Sequence, residues 1–442
     1  MTNERGDLID HPLADVRARR GWSLADVAML VQRRSGLNMA CRREKVWRWE
    51  RGVTPELAAQ YALAAELGLG VDVVRTHAWP AWLLLVDRSE PTDAAWTARE
   101  AADVLDRVVG SAGMDRRGFL ILTGATTTAL ATNWSTAQTD LLSDNAGARV
   151  TPESVDHLHA RVEELWRLDD LLGGGPCLDA GVADLRLAQR LIATGRYDAS
   201  LGTRLWSLAA SLARFCGFAA FDAGQDAAAQ RFWHAGLRAA AVAGDVDQGV
   251  YVLSNLALQA AYAGDGGTTV ALLDAARSRV DPAAHTVLAM LNCWAVRGHA
   301  VNGDGRAASA LLNEADDQWS RRRAEDDPGW VYWMPQPSLT AEAGTALLEI
   351  GDLAAAERCL TAGLSTLDAS SARERNLYLV RLAEAQLRSG RLDEAVATAH
   401  EAIDATNGVD SVRVSRRMDH LLDEFPATEH VTATLRDHRR GY

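Results

Sequence analysis

The sequence predicts an all-α protein, and three observations support this prediction. The composition, with 48% hydrophobic and 6% aromatic residues, is dominated by Ala, Leu, Arg, Asp and Glu, which together favour helices over strands. From about residue 151 onward, helical patterns alternate with Gly turns. These turns recur at similar intervals, as in repeat proteins. The length of 442 residues predicts two or three domains: a domain over residues 1–85, a helical linker over 86–150 and a repeat domain over 151–442.

The charge distribution restricts how the chain could bind nucleic acid. The formal net charge of −13 argues against a protein that coats nucleic acid along its whole surface. Residues 33–51 differ, because their local balance is +5, with only Glu44 and Glu50 as acidic residues. The basic residues of this segment are Arg33, Arg34, Arg42, Arg43, Lys45, Arg48 and Arg51. Any DNA contact is therefore expected to be local.

Four helices are predicted around this basic segment. The first runs from Pro12 to Arg20, and Ser23 is the predicted N-cap of the second. A third helix is expected from about residue 42 to residue 51, where Gly52 ends it, and a fourth begins at Thr54. The N-terminal part is therefore expected to form a compact helical bundle.

The third helix is predicted to have a buried and an outward face. Val46 and Trp49 lie three residues apart and should face the core. The remaining positions are then outward or partly outward, namely Arg43, Glu44, Trp47, Arg48 and Arg51. Glu50 is expected to pair with an arginine of the first helix, Arg17 or Arg20.

The stretch Val46-Trp47-Arg48-Trp49-Glu50-Arg51-Gly52, followed by Pro55 and the helix end Ala64-Ala65-Glu66-Leu67-Gly68, resembles the XRE (Cro/phage-repressor) helix-turn-helix family. The resemblance covers roughly residues 9–70. It departs from the family at Leu24, where Gln is usual, and in about eight extra residues within 32–41 that lengthen the turn before the third helix.

The resemblance implies that the third helix enters the major groove and that Arg43, Glu44 and Arg48 read bases. Arg can bond two acceptors on guanine, and Glu can accept a bond from cytosine. Arg42, Lys45 and Arg51 are better placed for phosphates. Trp47 joins this candidate DNA-binding surface, with packing as its alternative role. The alternative for the whole bundle is that it packs against protein.

The C-terminal part contains a repeated glycine at intervals of 39 to 48 residues: Gly224, Gly264, Gly303, Gly351 and Gly390. In four units an alanine follows five residues later, where a second helix must approach the first closely: Ala229, Ala308, Ala356 and Ala395. Gly217 and Gly344 lie seven residues before their turn glycines. This pattern resembles the tetratricopeptide repeat and implies an α-solenoid of about seven hairpins, each packing only on its neighbours around a concave groove.

Two sets of residues are candidates for binding an effector. The position nine residues before each turn glycine faces the groove in tetratricopeptide repeats, and here it holds Phe215, Asn255, Trp294, Glu342 and Arg381. Their alternative role is packing or exposure to solvent. The longest interval also holds Trp330, Tyr332 and Trp333, which could either wall a pocket or fill a kink.

Signatures of other functional classes are missing from the sequence. Lys45 is the only lysine and is followed by Val46, which excludes a phosphate-binding loop of the G-x-x-x-x-G-K-[ST] type. No catalytic motif or metal-ligand spacing occurs, so we expect no enzyme, cofactor or metal. The five cysteines lack C-x-x-C spacing, and neither a membrane span nor a secretory pattern is present. These features predict a cytoplasmic protein with reduced cysteines.

The combined pattern resembles actinobacterial XRE regulators and the peptide-sensing repeat regulators of Gram-positive bacteria. It implies a sequence-specific transcriptional regulator that binds double-stranded DNA, with repression somewhat favoured over activation. The repeats would bind a peptide, small-molecule or protein effector and mediate oligomerisation, and a homodimer is expected because such heads usually bind two half-sites. The alternative is an interaction scaffold whose helix-turn-helix does not bind DNA.

Overall fold

The computed structural model describes the chain in segments: residues 12–19, 22–36, 42–67, 74, 79–80, 82–83, 96–111, 124–136, 147–328, 330–331, 334–368, 371–405 and 411–425. Regular structure in these segments is helical, apart from one isolated parallel bridge between Arg149 and Arg196. The prediction of an all-α protein is confirmed for this part of the chain. The described residues before residue 84 form one compact unit, and those from residue 96 onward form a second. No helix in the described segments is long and apolar enough to cross a membrane.

In the described residues the first unit contains four α-helices: α1 Pro12–Arg19, α2 Leu24–Ser35, α3 Arg42–Trp49 and α4 Leu57–Glu66. Ser23 caps α2 as predicted, because its side chain accepts a bond from the Asp26 backbone while Asp26 accepts one from the Ser23 backbone. Val46 and Trp49 are buried as predicted, with 0% and 5% exposure. The first unit therefore has its own apolar core, to which all four helices contribute.

The second unit begins with two helices, α5 Ala98–Ser111 and α6 Gly124–Thr136. Both lie in the stretch that the sequence suggested as a linker, and both pack on the helices that follow. Trp134 of α6 illustrates this packing, because a Cβ added at Gly249 would lie only 2.0 Å from its ring. Arg279 places its guanidinium 5.2 Å from the centroid of the same ring.

Six helical hairpins follow in the described residues; about seven were expected over residues 151–442, of which 426–442 lie outside the described residues. The hairpins are α7 Pro152–Leu172 with α8 Gly174–Thr194, α9 Ala199–Asp222 with α10 Asp226–Ala243, α11 Val246–Tyr262 with α12 Gly266–Arg277, α13 His285–Val301 with α14 Gly305–Arg321, α15 Gln336–Glu349 with α16 Leu353–Thr366, and α17 Ala372–Arg388 with α18 Leu392–Ala405. A single helix, α19 Val412–Glu424, comes after them in the described residues.

The repeated glycines occupy the turns inside the hairpins. All five predicted turn glycines have φ between 73° and 84°, a left-handed conformation that glycine adopts without strain. Ala229, Ala308, Ala356 and Ala395 are completely buried, as the repeat pattern predicts. Gly217 permits a close helix contact, because a Cβ there would lie 2.3 Å from the Trp233 ring.

The hairpins also contact one another across the whole stack, and this contradicts the expectation that each packs only against its neighbours. Helices α17 and α19, at the end of the stack, contact α7 and α9 at its beginning. Arg373 Nη1 of α17 lies 2.7 Å from Asp169 Oδ2 of α7, and Ser411, the N-cap of α19, donates to Asp222 Oδ1 of α9 at 2.7 Å. Charged and polar residues from the beginning and the end of the stack therefore pair with each other here. We call the closed arrangement of the six hairpins and α19 the repeat ring.

Candidate functional site

The outer face of α3 is the first candidate site. Arg43, Glu44, Arg48 and Arg51 are exposed, and Trp47 is 45% exposed. Lys45 is half-buried. The Arg42 side chain lies outside the described residues. The base-reading candidates and Lys45 therefore lie on one helix, and Arg51 lies in the turn just after it.

Two features hold this helix in place. Val46 and Trp49 anchor it in the core. Arg17 Nε of α1 donates to Glu50 Oε1 at 2.8 Å, which confirms the ion pair expected between Glu50 and the first helix. The Arg17 guanidinium also donates to the Trp22 carbonyl at 3.1 Å. The end of α3 is thus tied to α1 and to the start of α2.

Other basic residues of this segment have partners within the first unit. Glu66 of α4 accepts a bond from Arg34 Nε at 2.5 Å, and Arg33 lies 3.7 Å from the same carboxylate. Arg51 places its guanidinium 4.2 Å from the centroid of the Trp47 ring. Glu66 carries a single negative charge and offsets only one of the two charges of Arg33 and Arg34. The positive charge of this segment is therefore shared between α3 and the end of α2.

The second candidate site is a chamber of about 500 Å³ inside the repeat ring. Its walls come from the first helix of each of the six hairpins, from α19 and from Trp330 in the connection between α14 and α15. Principal wall residues are Trp166 of α7, Arg214 of α9, Tyr251 and Asn255 of α11, Trp294 and Arg297 of α13, Glu342 of α15, Arg373, Tyr378 and Arg381 of α17, and Arg413 of α19. A central space replaces the open concave groove that the sequence suggested.

The structure brings most of the predicted effector residues together at this chamber. Asn255, Trp294, Glu342 and Arg381, taken from one repeat position, all line it, and so does Trp330 from the longest interval. Tyr332 and Trp333 lie outside the described residues.

The expectation for Phe215 is wrong. Phe215 is completely buried, and its ring packs edge-on against Trp166 with the centroids 4.9 Å apart. From helix α9, Arg214 and Phe218 line the chamber instead. The physical reason is the rotation of α9 about its axis, which places the predicted position behind the aromatic wall.

Three aromatic rings and one arginine form a layered wall. The rings of Tyr251 and Trp330 are stacked, with centroids 4.3 Å apart and an interplanar angle of 28°. The Arg214 guanidinium lies 3.9 Å from the Tyr251 centroid and 4.6 Å from the Trp166 centroid. Arg214 Nε also donates to Gln248 Oε1 at 3.1 Å. The guanidinium is therefore held in one orientation between two rings.

The opposite wall consists of ion pairs. Arg297 Nη2 lies 2.6 Å from Glu342 Oε2, and the Tyr378 hydroxyl donates to Glu342 Oε1 at 3.1 Å. Burial and the Glu342 charge together raise the pKa of Tyr378 well above its usual value. Arg381 Nη1 lies 2.8 Å from Glu349 Oε1. Burial would raise the pKa of Glu349, but nearby arginines, Arg381 first among them, outweigh it and lower that pKa.

Arg373 joins the chamber wall to the closure of the ring. Besides Asp169, it lies 3.7 Å from Asp222 and 3.6 Å from Asp170. Burial raises the pKa of Asp170 to about 6, although Arg373 opposes the shift. Arg413 Nε approaches Asp222 Oδ1 at 3.4 Å. We call Arg373, Asp169, Asp222, Ser411 and Arg413 the closing cluster.

Several chamber residues were missed by sequence reasoning, but some carried a detectable signal. Tyr251 lies four residues before Asn255, Arg297 lies three after Trp294, and Tyr378 lies three before Arg381. These spacings put each missed residue on the same helix face as a predicted one. Trp166 and Arg413 carried no such signal, because α7 and α19 precede and follow the glycine pattern.

No known family profile, curated protein or solved structure matches this chain. In the segments that the structure describes, no group of three or more His, Cys, Asp or Glu side chains could hold a metal ion.

Proposed function

We propose that this protein is a sequence-specific, DNA-binding transcriptional regulator. In this proposal the first unit is a helix-turn-helix of the XRE type, and the repeat ring is a tetratricopeptide-like body that senses an effector. One observation carries the proposal: α3 anchors Val46 and Trp49 in the core and presents Arg43, Glu44 and Arg48 outward. This is the arrangement that a recognition helix needs in a major groove.

The chamber supports a sensing role for the body. Its volume of about 500 Å³ is in the usual range for small-molecule sites. An effector that binds one arrangement of the body more tightly than another can change the operator affinity by at most that difference in binding free energy. We propose that the protein acts as a homodimer, since helix-turn-helix heads commonly bind two half-sites.

The test is DNA binding by the full-length protein to the promoter region of its own gene. Fluorescence anisotropy at several salt concentrations should give an affinity that falls as salt rises, because phosphate contacts release counterions. Arg43→Ala and Arg48→Ala should each weaken specific binding by about 1–3 kcal/mol, roughly 5- to 150-fold. Arg306→Ala, at an exposed position of α14, is the matched control and should leave the affinity unchanged.

One observation favours the alternative of a protein-docking module. Met29, Trp47, Val53 and Leu57 are large apolar residues of the first unit with exposures between 43% and 59%. The same assay separates the two functions. A full-length protein that binds no duplex even at low salt, or whose affinity is unaffected by both α3 substitutions, would favour protein docking.

A further inference from the structure

We propose that the chamber binds an uncharged, flat aromatic molecule that carries carbonyl or hydroxyl oxygens. This inference deepens the proposed sensing role and rests on it. It follows from three features of the chamber wall: buried hydrogen-bond donors without acceptors, a layered aromatic surface, and charged groups that already pair with one another.

Three buried donors on the chamber wall have no acceptor among the described residues. They are Nδ2 of Asn255 and the indole Nε1 atoms of Trp166 and Trp330. Asn255 is only 2% exposed. A buried donor without an acceptor is costly, and an indole N–H can only donate. A ligand that satisfies these groups must therefore supply acceptor atoms.

The three donors belong to one continuous part of the wall. Asn255 follows Tyr251 by one helical turn of α11, and the Trp330 ring stacks on Tyr251 with the centroids 4.3 Å apart. On the same tyrosine, the Arg214 guanidinium lies 3.9 Å from the ring centroid. It also lies 4.6 Å from the Trp166 centroid, so the layers continue to the third donor.

This layered surface favours a flat ligand. Aromatic rings gain energy from stacked and edge-on neighbours beyond the burial of apolar surface. Trp294 and Phe218 add two further rings to the chamber wall. A conjugated ligand can lie against these rings while oxygens on its edge accept bonds from the donors. An aliphatic molecule of the same size would fill the space without the gain from ring contacts.

The charged groups favour a ligand without charge. Six arginines and four carboxylates line the chamber, and further carboxylates lie behind the wall. Arg373 alone lies within 4 Å of four carboxylates. An ion that leaves water needs a counter-charge, so an ionic ligand would have to displace a wall residue from an existing pair. The pairs are Arg297 with Glu342, Arg381 with Glu349, Arg413 with Asp222, Arg167 with Glu163, and Arg373 with Asp169.

The experiment compares four compounds that share one ring system. Fluorene has no oxygen, and 9-fluorenone adds one carbonyl. The 2-carboxylate and 2-aminomethyl derivatives of 9-fluorenone add a negative or a positive charge at neutral pH. The chamber is partly open and has a volume of about 500 Å³, so these compounds can enter it without unfolding of the repeat ring.

Equilibrium dialysis of each compound against the full-length protein measures the affinities. We expect saturable binding of one 9-fluorenone molecule per chain. It should bind about fivefold tighter than fluorene, as a hydrogen bond to an otherwise unpartnered donor predicts. It should bind about tenfold tighter than either charged derivative, because an ion loses its hydration without gaining a free counter-charge.

Three variants locate the bound compound. Asn255→Leu removes one donor, and the double variant Asn255→Leu/Trp330→Phe removes a second donor but keeps a ring. The preference for 9-fluorenone over fluorene should fall in the single variant and be mostly lost in the double variant. Asn313→Leu, at an exposed position of α14 outside the chamber, is the matched control and should leave both affinities unchanged. Far-ultraviolet circular dichroism checks that each variant is folded.

Three results would overturn the proposal. They are an absence of saturable 9-fluorenone binding, a wild-type protein that binds fluorene or a charged derivative as tightly as 9-fluorenone, and an unchanged preference in the folded double variant. The wild-type comparison decides even if a variant fails to fold. Failure of the regulator function is distinguishable, since these affinities are measured without DNA. Binding of 9-fluorenone without any effect on operator affinity would support the ligand class and count against sensing.

Discussion

Arg373 and Asp169 form a buried ion pair across 204 residues of sequence, with Nη1 2.7 Å from Oδ2. Their side chains are 3% and 0% exposed. Two charges removed from water are tolerated only when each satisfies the other. The pair therefore couples α7 at one end of the repeat ring to α17 at the other.

Arg373→Ala should destabilise the second unit strongly. It leaves Asp169 and Asp222 buried without their main cation, and breaking a buried pair in this way costs about 3–5 kcal/mol. The free energy of unfolding is measured by urea titration with circular dichroism. Arg358→Ala, at an exposed position of α16, is the control and should change it by less than about 0.5 kcal/mol. Equal effects of the two substitutions would mean that the closing cluster contributes nothing to stability.

Asp170→Asn should raise the melting temperature at pH 7.5. Burial raises the pKa of Asp170 from 3.8 to about 6, so the ionised carboxylate is disfavoured in the folded state relative to the unfolded state. Its position in the last turn of α7 adds to this cost, because a helix C-terminus disfavours negative charge.

The sign of the pH dependence follows from that shift. The folded protein binds a proton at Asp170 below about pH 6, whereas the unfolded chain does so only near pH 3.8. The destabilisation of the wild-type protein by ionised Asp170 is complete above pH 6 and falls as the pH drops toward 4. The increase in melting temperature caused by Asp170→Asn should therefore shrink over this range. Melting curves between pH 4 and 7.5 measure it, with the exposed Asp179→Asn as the control. A gain that grows toward low pH would contradict the assignment.

Gly217→Ala should destabilise the hairpin of α9 and α10. The added Cβ would lie 2.3 Å from the Trp233 ring, so the ring or the helix must move at a cost of about 1–3 kcal/mol. Gly110→Ala in α5 is the matched helical control, since a Cβ there meets nothing within 4 Å. Thermal unfolding compares the two, and we expect the control to be neutral or slightly stabilising. Similar losses at both positions would show that the close approach at Gly217 has no energetic weight.

Ser23→Ala should destabilise helix α2 of the first unit. It removes the side-chain half of the capping box on α2, which stabilises a helix by about 1 kcal/mol. Ser320→Ala, near the exposed C-terminal end of α14, removes a hydroxyl that serves no cap and should have little effect. Hydrogen exchange of the α2 backbone amides measures the change in local stability. Unchanged protection in Ser23→Ala would show that the cap is dispensable.

Local spacing predicted the features that depend on neighbours in sequence. Val46 and Trp49 are buried because residues three apart share a helix face. Counting from the turn glycines likewise led to Asn255, Trp294, Glu342 and Arg381, because consecutive hairpins repeat the same geometry. Phe215 failed because α9 is turned so that its neighbour Arg214 faces the chamber.

Contacts between repeats that are distant in sequence are not indicated by any spacing in the sequence. Asp169, Asp222 and Arg373 look like ordinary charged positions in amphipathic helices, and their burial depends on partners far along the chain. Periodicity indicates a stack of hairpins but contains no information about whether its ends meet. The chamber, which needs that meeting, was therefore predicted only as a groove.

Closure also constrains how this chain can change by gene duplication. A stack with free ends tolerates the gain or loss of one hairpin, because only the adjacent interfaces must be rebuilt. Here an added hairpin would separate Asp169 from Arg373 and Asp222 from Ser411, leaving buried charges without partners. We therefore expect homologues that retain these residues to keep the same number of hairpins between α7 and α19, and to vary in length at the exposed turns.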